Sequence, residues 1–417
     1  MDPAARAAEA AHAEIWRRFV DPVHHTLYHY AGRQGEVVLP LPEECALAKP
    51  NGMSWSTPIE DGPFFGGLYL SGLCRRWESR RDEESAACAR RIAAGLTALA
   101  EASPTPGFVP RGFGLDGRCH YPISSEDQVF PWFHGLWRYL RSGLPAAAES
   151  QDIANLLTAT IGAVSRHGWQ IPCARPELGH RGSYIRPTMY DSSRLLFLHR
   201  ALAGVTGDPQ WLAGYHQRLA ERVGKDGRTR LELCARGMEY GSPDQPDTCL
   251  WTTAMAQAAL AGLAELETDP ERRAAYRQGL VASARRAVPH LARHRRFDPA
   301  LGRDFTVDWR FLNEHWRPQA TSEEAIALAR SQLPLWAARN PRSPHEDDTM
   351  REPLFAAWII ALAHDPALLA EQAGNLRALL AHYPWPELFT ATFFIAECCY
   401  YEALAPGAEP REGPRGS

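Results

Sequence analysis

Residues 111–140 read RGFGLDGRCHYPISSEDQVFPWFHGLWRYL. A glycine-rich polar loop runs through two adjacent acids, Glu126 and Asp127, into a segment with Val129, Trp132, Phe133, Leu136, Trp137 and Leu140 on one helical stripe. Pro131 suits a first helical turn, where a missing N–H costs nothing, so the expected helix spans 131–142. The acids then sit just ahead of it, at the mouth of the element and outside its packed middle.

The same order of residues occurs earlier. Glu60-Asp61-Gly62-Pro63-Phe64-Phe65-Gly66-Gly67-Leu68-Tyr69 reads against Glu126-Asp127 and Pro131-Trp132-Phe133-His134-Gly135-Leu136-Trp137. Each copy has an acid pair, a proline, two aromatics, a glycine, then leucine and an aromatic. Fainter echoes stand at Glu352-Pro353-Leu354-Phe355 and at Pro386-Glu387-Leu388-Phe389. A repeated unit decides architecture before single residues do.

Working outward, periodicity and breakers give helices at 3–20, 63–79, 82–102, 131–142, 147–167, 188–206, 210–224, 247–266, 271–293, 350–364, 366–382 and 386–404, with an inserted helix at 321–337. A short strand is expected at Val37-Val38-Leu39. Short and long connections alternate, and in a stack of antiparallel hairpins that puts every long loop on one rim. The helices sort into an inner set, rich in aromatics and glycine, and an outer set richer in Arg, Glu and Ala. With the first helix completing the outer set, the expected fold is all-α, an (α/α)6 toroid or barrel of six helical hairpins with the long loops on one face. Residues 1–404 form one domain in this reading, and 405–417 a disordered tail.

Composition narrows the function. The 417 residues are 45% hydrophobic and 23% charged, enough for a large core, and the net charge of -4 gives no reason to expect nucleic acid or a membrane surface as partner. Nine cysteines without paired or zinc-type spacing do not form a disulfide framework or a metal site, and Cys119 and the Cys398-Cys399 pair read as reduced thiols. The N-terminus lacks a signal-peptide pattern and no run is long and apolar enough for a membrane span, so the expectation is a cytoplasmic protein. No cofactor or metal is expected. The loop residues His345-Glu346-Asp347-Asp348 read as solvated.

On these motifs the chain resembles the six-hairpin glycosidases, and among them the unsaturated glucuronyl hydrolases and related glucuronidases. The resemblance covers the chain from the first helix to about residue 404. It implies a carbohydrate-active hydrolase for short, uronic-acid-bearing oligosaccharides, with aspartates at the starts of successive inner helices lining the pocket. By motif position these are Asp127, as general acid and base, and Asp61.

The residues themselves allow that chemistry. Two carboxyls facing one cavity repel each other's charge, so one keeps its proton near neutral pH while the other stays anionic. The plain alternative is that both are helix-start acids favoured by the macrodipole. Arg111, His120, Arg181, Arg186, Arg310 and Arg351 are candidates to bind a uronate carboxylate through paired N–H donors, with His134 one turn into its helix. Trp55, Trp132, Trp251 and Trp309 could stack on a sugar face, and Tyr184 and Glu352 lie on the same rim. Asp191, Glu239, Asp247 and Asp308 are further rim acids. Competing readings are a saturated exo-glucuronidase, a sugar epimerase or lyase on a related barrel, and a non-catalytic carbohydrate-binding protein.

Overall fold

The computed structural model describes residues 2–240 and 249–406. Asp247 and the expected tail from residue 407 onward lie outside the described residues. The chain is 65% helix and 4% strand, which places it in the all-α class.

Several helices begin where the sequence provides a side-chain cap. Helix α1 (Pro3–Glu14) continues through a wider turn to Phe19, and the next two, α2 (Gly62–Arg80) and α3 (Glu83–Glu101), are joined by one short turn. They are followed by α4 (Glu126–Arg141), α5 (Ala147–Arg166), α6 (Met189–Thr206), α7 (Pro209–Ala220), α8 (Leu250–Leu266) and α9 (Pro270–Ala287). Then come α10 (Ser322–Arg339), α11 (Glu352–Ala361), α12 (Pro366–Leu380) and α13 (Phe394–Cys399), with short helices at Pro42–Leu47, Arg230–Arg236 and Arg342–Glu346 within the connections. At the starts of α7, α9 and α12 an Asp-Pro pair closes the short turn. The carboxylates of Asp208, Asp269 and Asp365 accept the N–H groups of Gln210, Glu271 and Leu368, while proline fills the first helical position.

Helices α2, α4, α6, α8, α11 and α13 are buried along most of their length. Their contacts run from α2 to α4, from α6 to α8, α8 to α11, α11 to α13 and α13 back to α2. Phe197 of α6 bridges to α4, edge-on to Phe130 at 5.7 Å and to Trp137 at 4.9 Å. The other helices bury one stripe each: α3 on α2, α7 on α6, α9 on α8, and α12 on α11, with α1 on α13. One cluster of buried apolar side chains extends from Ala4 to Ala405.

The repeat has a direct structural use. Gly67 and Gly135, equivalent positions of its two copies, meet where α2 crosses α4; a Cβ on Gly67 would stand 2.0 Å from the Pro131 carbonyl oxygen, and one on Gly135 2.3 Å from that of Gly67. Only glycine lets the two backbones come this close.

The long connections pack on one another. Gln332 of α10 bonds to Asn51 (2.8 Å) and to the Pro50 carbonyl (3.0 Å), Ser322 donates to the His180 carbonyl (2.8 Å), and Arg310 pairs with Glu44 (2.8 Å). Met53, Ile123, Cys173, Leu178 and Ala325 form a small apolar cluster of their own beneath α10.

Four expectations are corrected. Helix α4 starts at Glu126, not 131: the amides of Gln128 and Val129 bond to the Ser125 carbonyl, so the acids occupy the first turn and Pro131 lies inside the helix. Among the described residues Val37-Val38-Leu39 pairs with nothing as a strand, whereas the loop after α5 holds an antiparallel pair, β1 (Gln170–Pro172) and β2 (His180–Ser183). The segment expected as helix 386–404 opens with two short 3-10 turns before α13. Glu346 is not solvated: it is fully buried, accepting from Arg342 Nε (2.9 Å) and from the Phe389 and Thr390 amides.

Candidate functional site

The side chain of Asp61 stands at the start of α2 but does not cap it. Its Oδ2 accepts from His29 Nδ1 (2.9 Å), and its Oδ1 from Gln128 Nε2 (2.6 Å) and Arg111 Nη1 (3.3 Å). Asp61 is 2% exposed, and burial alone would push its pKa up; the hydrogen bond and charge of His29, with Arg111 and Gln128, overcome this and hold it below the ordinary value. For His29, burial pulls down, yet the carboxyls of Glu60 and Asp61 raise it to about 9, so it is an imidazolium at neutral pH.

Glu60 goes the other way. Burial is the largest influence and pushes it up, His29 pulls it down, and the anionic Asp61 beside it pushes it up again, to about 7. Its Oε2 accepts the Ser56 amide at 2.7 Å, and part of its surface remains accessible. Two neighbouring carboxyls thus titrate far apart, Asp61 staying anionic while Glu60 holds its proton up to about neutral pH.

Arg111 joins this cluster to the second acid pair. The same guanidinium that reaches Asp61 donates through Nη2 to Ser125 Oγ (2.8 Å), and Ser125 Oγ donates to Asp127. Asp61 and Asp127 therefore belong to one hydrogen-bonded chain across the α2–α4 crossing. Glu126 is buried, with Arg186 Nη2 2.6 Å from its Oε1; Arg186 also holds Asp191, which pairs with the fully buried Arg194 at 2.6 Å. Burial and Asp127 raise the pKa of Glu126 against the pull of Arg194, Arg186 and Arg181. Gly182 of β2, at φ +81°, passes so close that a Cβ there would stand 1.5 Å from Glu126 Oε2.

A third group faces the carboxyls. The Arg351 guanidinium lies 4.5 Å from the Trp251 ring centroid, 2.7 Å from Asp347 and 3.6 Å from Glu352. Burial pulls its pKa down, and Asp347, Glu352 and also Asp61 more than restore it. Trp251, half-buried, packs on Phe64 of α2 with centroids 5.0 Å apart.

The other residues expected at the site divide by access. Trp132 and Trp309 are fully buried, with indole N–H groups bonded to the Leu96 and Val38 carbonyls at 2.8 and 2.7 Å, so neither ring is presented to a ligand. Tyr184 is buried and donates to the Glu126 carbonyl, and His134 lies among Phe130, Trp137 and Phe197. Glu352 is buried and accepts the Leu250 amide at 2.8 Å. His120 is half-buried against Phe108 and bonds to the Tyr121 carbonyl, while Arg310 pairs with Glu44 among the loops. Arg181 is half-buried and near enough to Glu126 to lower its pKa. Glu239 pairs with Arg236, and Asp308 is exposed. Hydrogen bonds thus join Asp61, Arg111 and Asp127, Arg181 lies near Glu126, and Arg351, stacked on Trp251, is close enough to Asp61 to feel its charge.

His29, Glu60 and Asp61 also offer donor atoms within 4.8 Å of one another, a spacing that suits a cation. However, His29 Nδ1 and both Asp61 oxygens are engaged in hydrogen bonds, with Arg111 beside them, so the set fits a proton-holding network better than a metal cage.

Sequence reasoning missed His29 and passed over Glu60. Glu60 carried a signal, as the first acid of the repeat; His29 stands in an irregular segment with no periodicity to mark it. No protein-family model matches the chain, and no curated protein matches it in sequence. Among the described residues no helix is long and apolar enough to cross a membrane.

Proposed function

We propose that the chain is a glycoside hydrolase of the six-hairpin kind, an (α/α)6 toroid that cleaves short oligosaccharides bearing uronic acid. Support for the toroid comes from the order of helix contacts, which returns from α13 to α2, and from the packing of the long loops on one another. The observation that carries the activity is the Glu60–Asp61 pair, held in opposite protonation states and linked through Arg111 and Ser125 to Asp127.

In this reading Glu60 is the proton donor, because it combines a proton at neutral pH with accessible surface. Asp61, with three donors on its oxygens, stays anionic and keeps the proton on Glu60. Asp127, half-buried and free of an arginine partner among the described ion pairs, is the second carboxylate and takes the proton from the attacking water. Arg351 and Arg181 supply cations for the uronate, and Trp251 an apolar face for the ring. With a 4,5-unsaturated uronide the donor protonates the vinyl ether carbon and water adds at its neighbour.

The test is a panel of saturated and lyase-generated unsaturated uronyl disaccharides, followed by reducing-end release and loss of the conjugated chromophore. Turnover by the wild type, lost in Asp127→Asn while binding persists, supports the reading. A wild type that binds members of the panel and turns over none overturns it in favour of a binding protein.

A further inference from the structure

Two exposed surfaces carry charged side chains that no ion pair among the described residues takes up. On α9, Arg273, Arg277 and Arg285 lie along one open face with Ala274, Val281 and Ala282 between them, and among the described residues no other element contributes to that face. Twelve residues separate the first and last arginine, roughly 18 Å of helix. Between α3 and α5 runs a groove of about 740 Å³ with Glu101, Glu149 and Asp152 at its edges and Ala94, Ala98 and Leu156 within it. Among the described residues Arg277 and Arg285 form no ion pair, and neither do Glu101 and Asp152, whereas the buried arginines Arg76, Arg194 and Arg342 each do. Helix α9 packs on α8 and α11, whereas α3 and α5 pack on α2, α4 and α6, so the two surfaces do not adjoin within one molecule.

One is a single-helix ridge, basic at its edges and apolar along its middle; the other is a two-helix groove, acidic at its edges and apolar along its floor. A ridge seated in such a groove is an ordinary three-helix contact. We propose that the α9 face of one copy docks into the α3/α5 groove of a second copy. The contact is heterologous, since the two partners use different surfaces, and it extends head to tail into short chains or closes into a ring. Arginine–carboxylate pairs at its edges set register and make it salt-sensitive, while the alanine, valine and leucine contacts exclude water between them. This assembly does not depend on the catalytic reading.

Sedimentation velocity on the full chain at roughly 0.05 M and 0.5 M salt tests it. The wild type should show a mass that rises with concentration at low salt and a monomer at high salt. Arg277→Glu/Arg285→Glu and Glu101→Arg/Asp152→Arg should each be monomeric, because each places like charges on both surfaces. Mixed one to one they should associate again, since every ridge then meets a groove of opposite sign. Circular dichroism separates loss of assembly from loss of fold. A wild type that stays monomeric at low salt, a folded variant that assembles as the wild type does, or a mixture that stays monomeric overturns the proposal.

Discussion

Replacing His29 with glutamine removes one buried imidazolium, and the structure sets the size and pH range of the effect. The pKa of His29 rises from 6.5 to about 9 in the folded chain. At about 1.4 kcal/mol for each tenfold in proton affinity, this corresponds to roughly 3 kcal/mol. Because the folded value lies above the unfolded one, the contribution is fully present below pH 6.5 and is lost as pH rises through 9. Urea unfolding of wild type and His29→Gln between pH 6 and 10 gives the comparison. Wild type should lose more stability than the variant across that window, by about 3 kcal/mol at most, because Glu60, no longer pulled down by His29, gives up its proton at higher pH in the variant and takes back part of the difference. His12, raised to about 10 by Glu397 against the pull of burial, titrates in both proteins and cancels in the difference. Parallel stability curves for the two proteins between pH 6.5 and 9 would refute the His29–Asp61 argument.

Gly67→Ala should cost about 3 kcal/mol in a thermal or urea melt, since its Cβ would meet the Pro131 carbonyl at 2.0 Å. Gly204→Ala on α6, where no atom lies within 4 Å, should be neutral or slightly stabilising. Glu346→Ala leaves the buried Arg342 guanidinium without its carboxylate and should cost about 3–5 kcal/mol by urea titration. Asp127→Asn, half-buried at the surface of the network, should change stability by less than about 1 kcal/mol while turnover falls.

Much of the scaffold was legible because its signals are local. The Asp-Pro starts of α7, α9 and α12 are cap chemistry written in adjacent residues, and the glycines of the repeat mark the α2–α4 crossing. The start of α4 was misread because proline usually opens a helix, whereas here the Ser125 carbonyl organises the first turn and Pro131 only forgoes one bond farther in. The site was half legible. The acid pairs stood out by repetition, but their division of labour depends on His29, thirty-two residues from Asp61, and on Gln128 and Arg111 from other segments. Nor can sequence separate a half-buried indole from a fully buried one donating to a carbonyl, which is why Trp132 and Trp309 stood beside Trp251 as candidates.

The most direct measurement is the pH–rate profile of uronide cleavage by the wild type and Glu60→Gln. Wild-type turnover should fall as pH rises through about 7, where Glu60 gives up its proton. The variant should keep its fold and substrate affinity and lose roughly 10²–10⁴-fold in kcat. A Glu60→Gln protein that turns over substrate at the wild-type rate, or a profile unchanged by the substitution, would contradict the account.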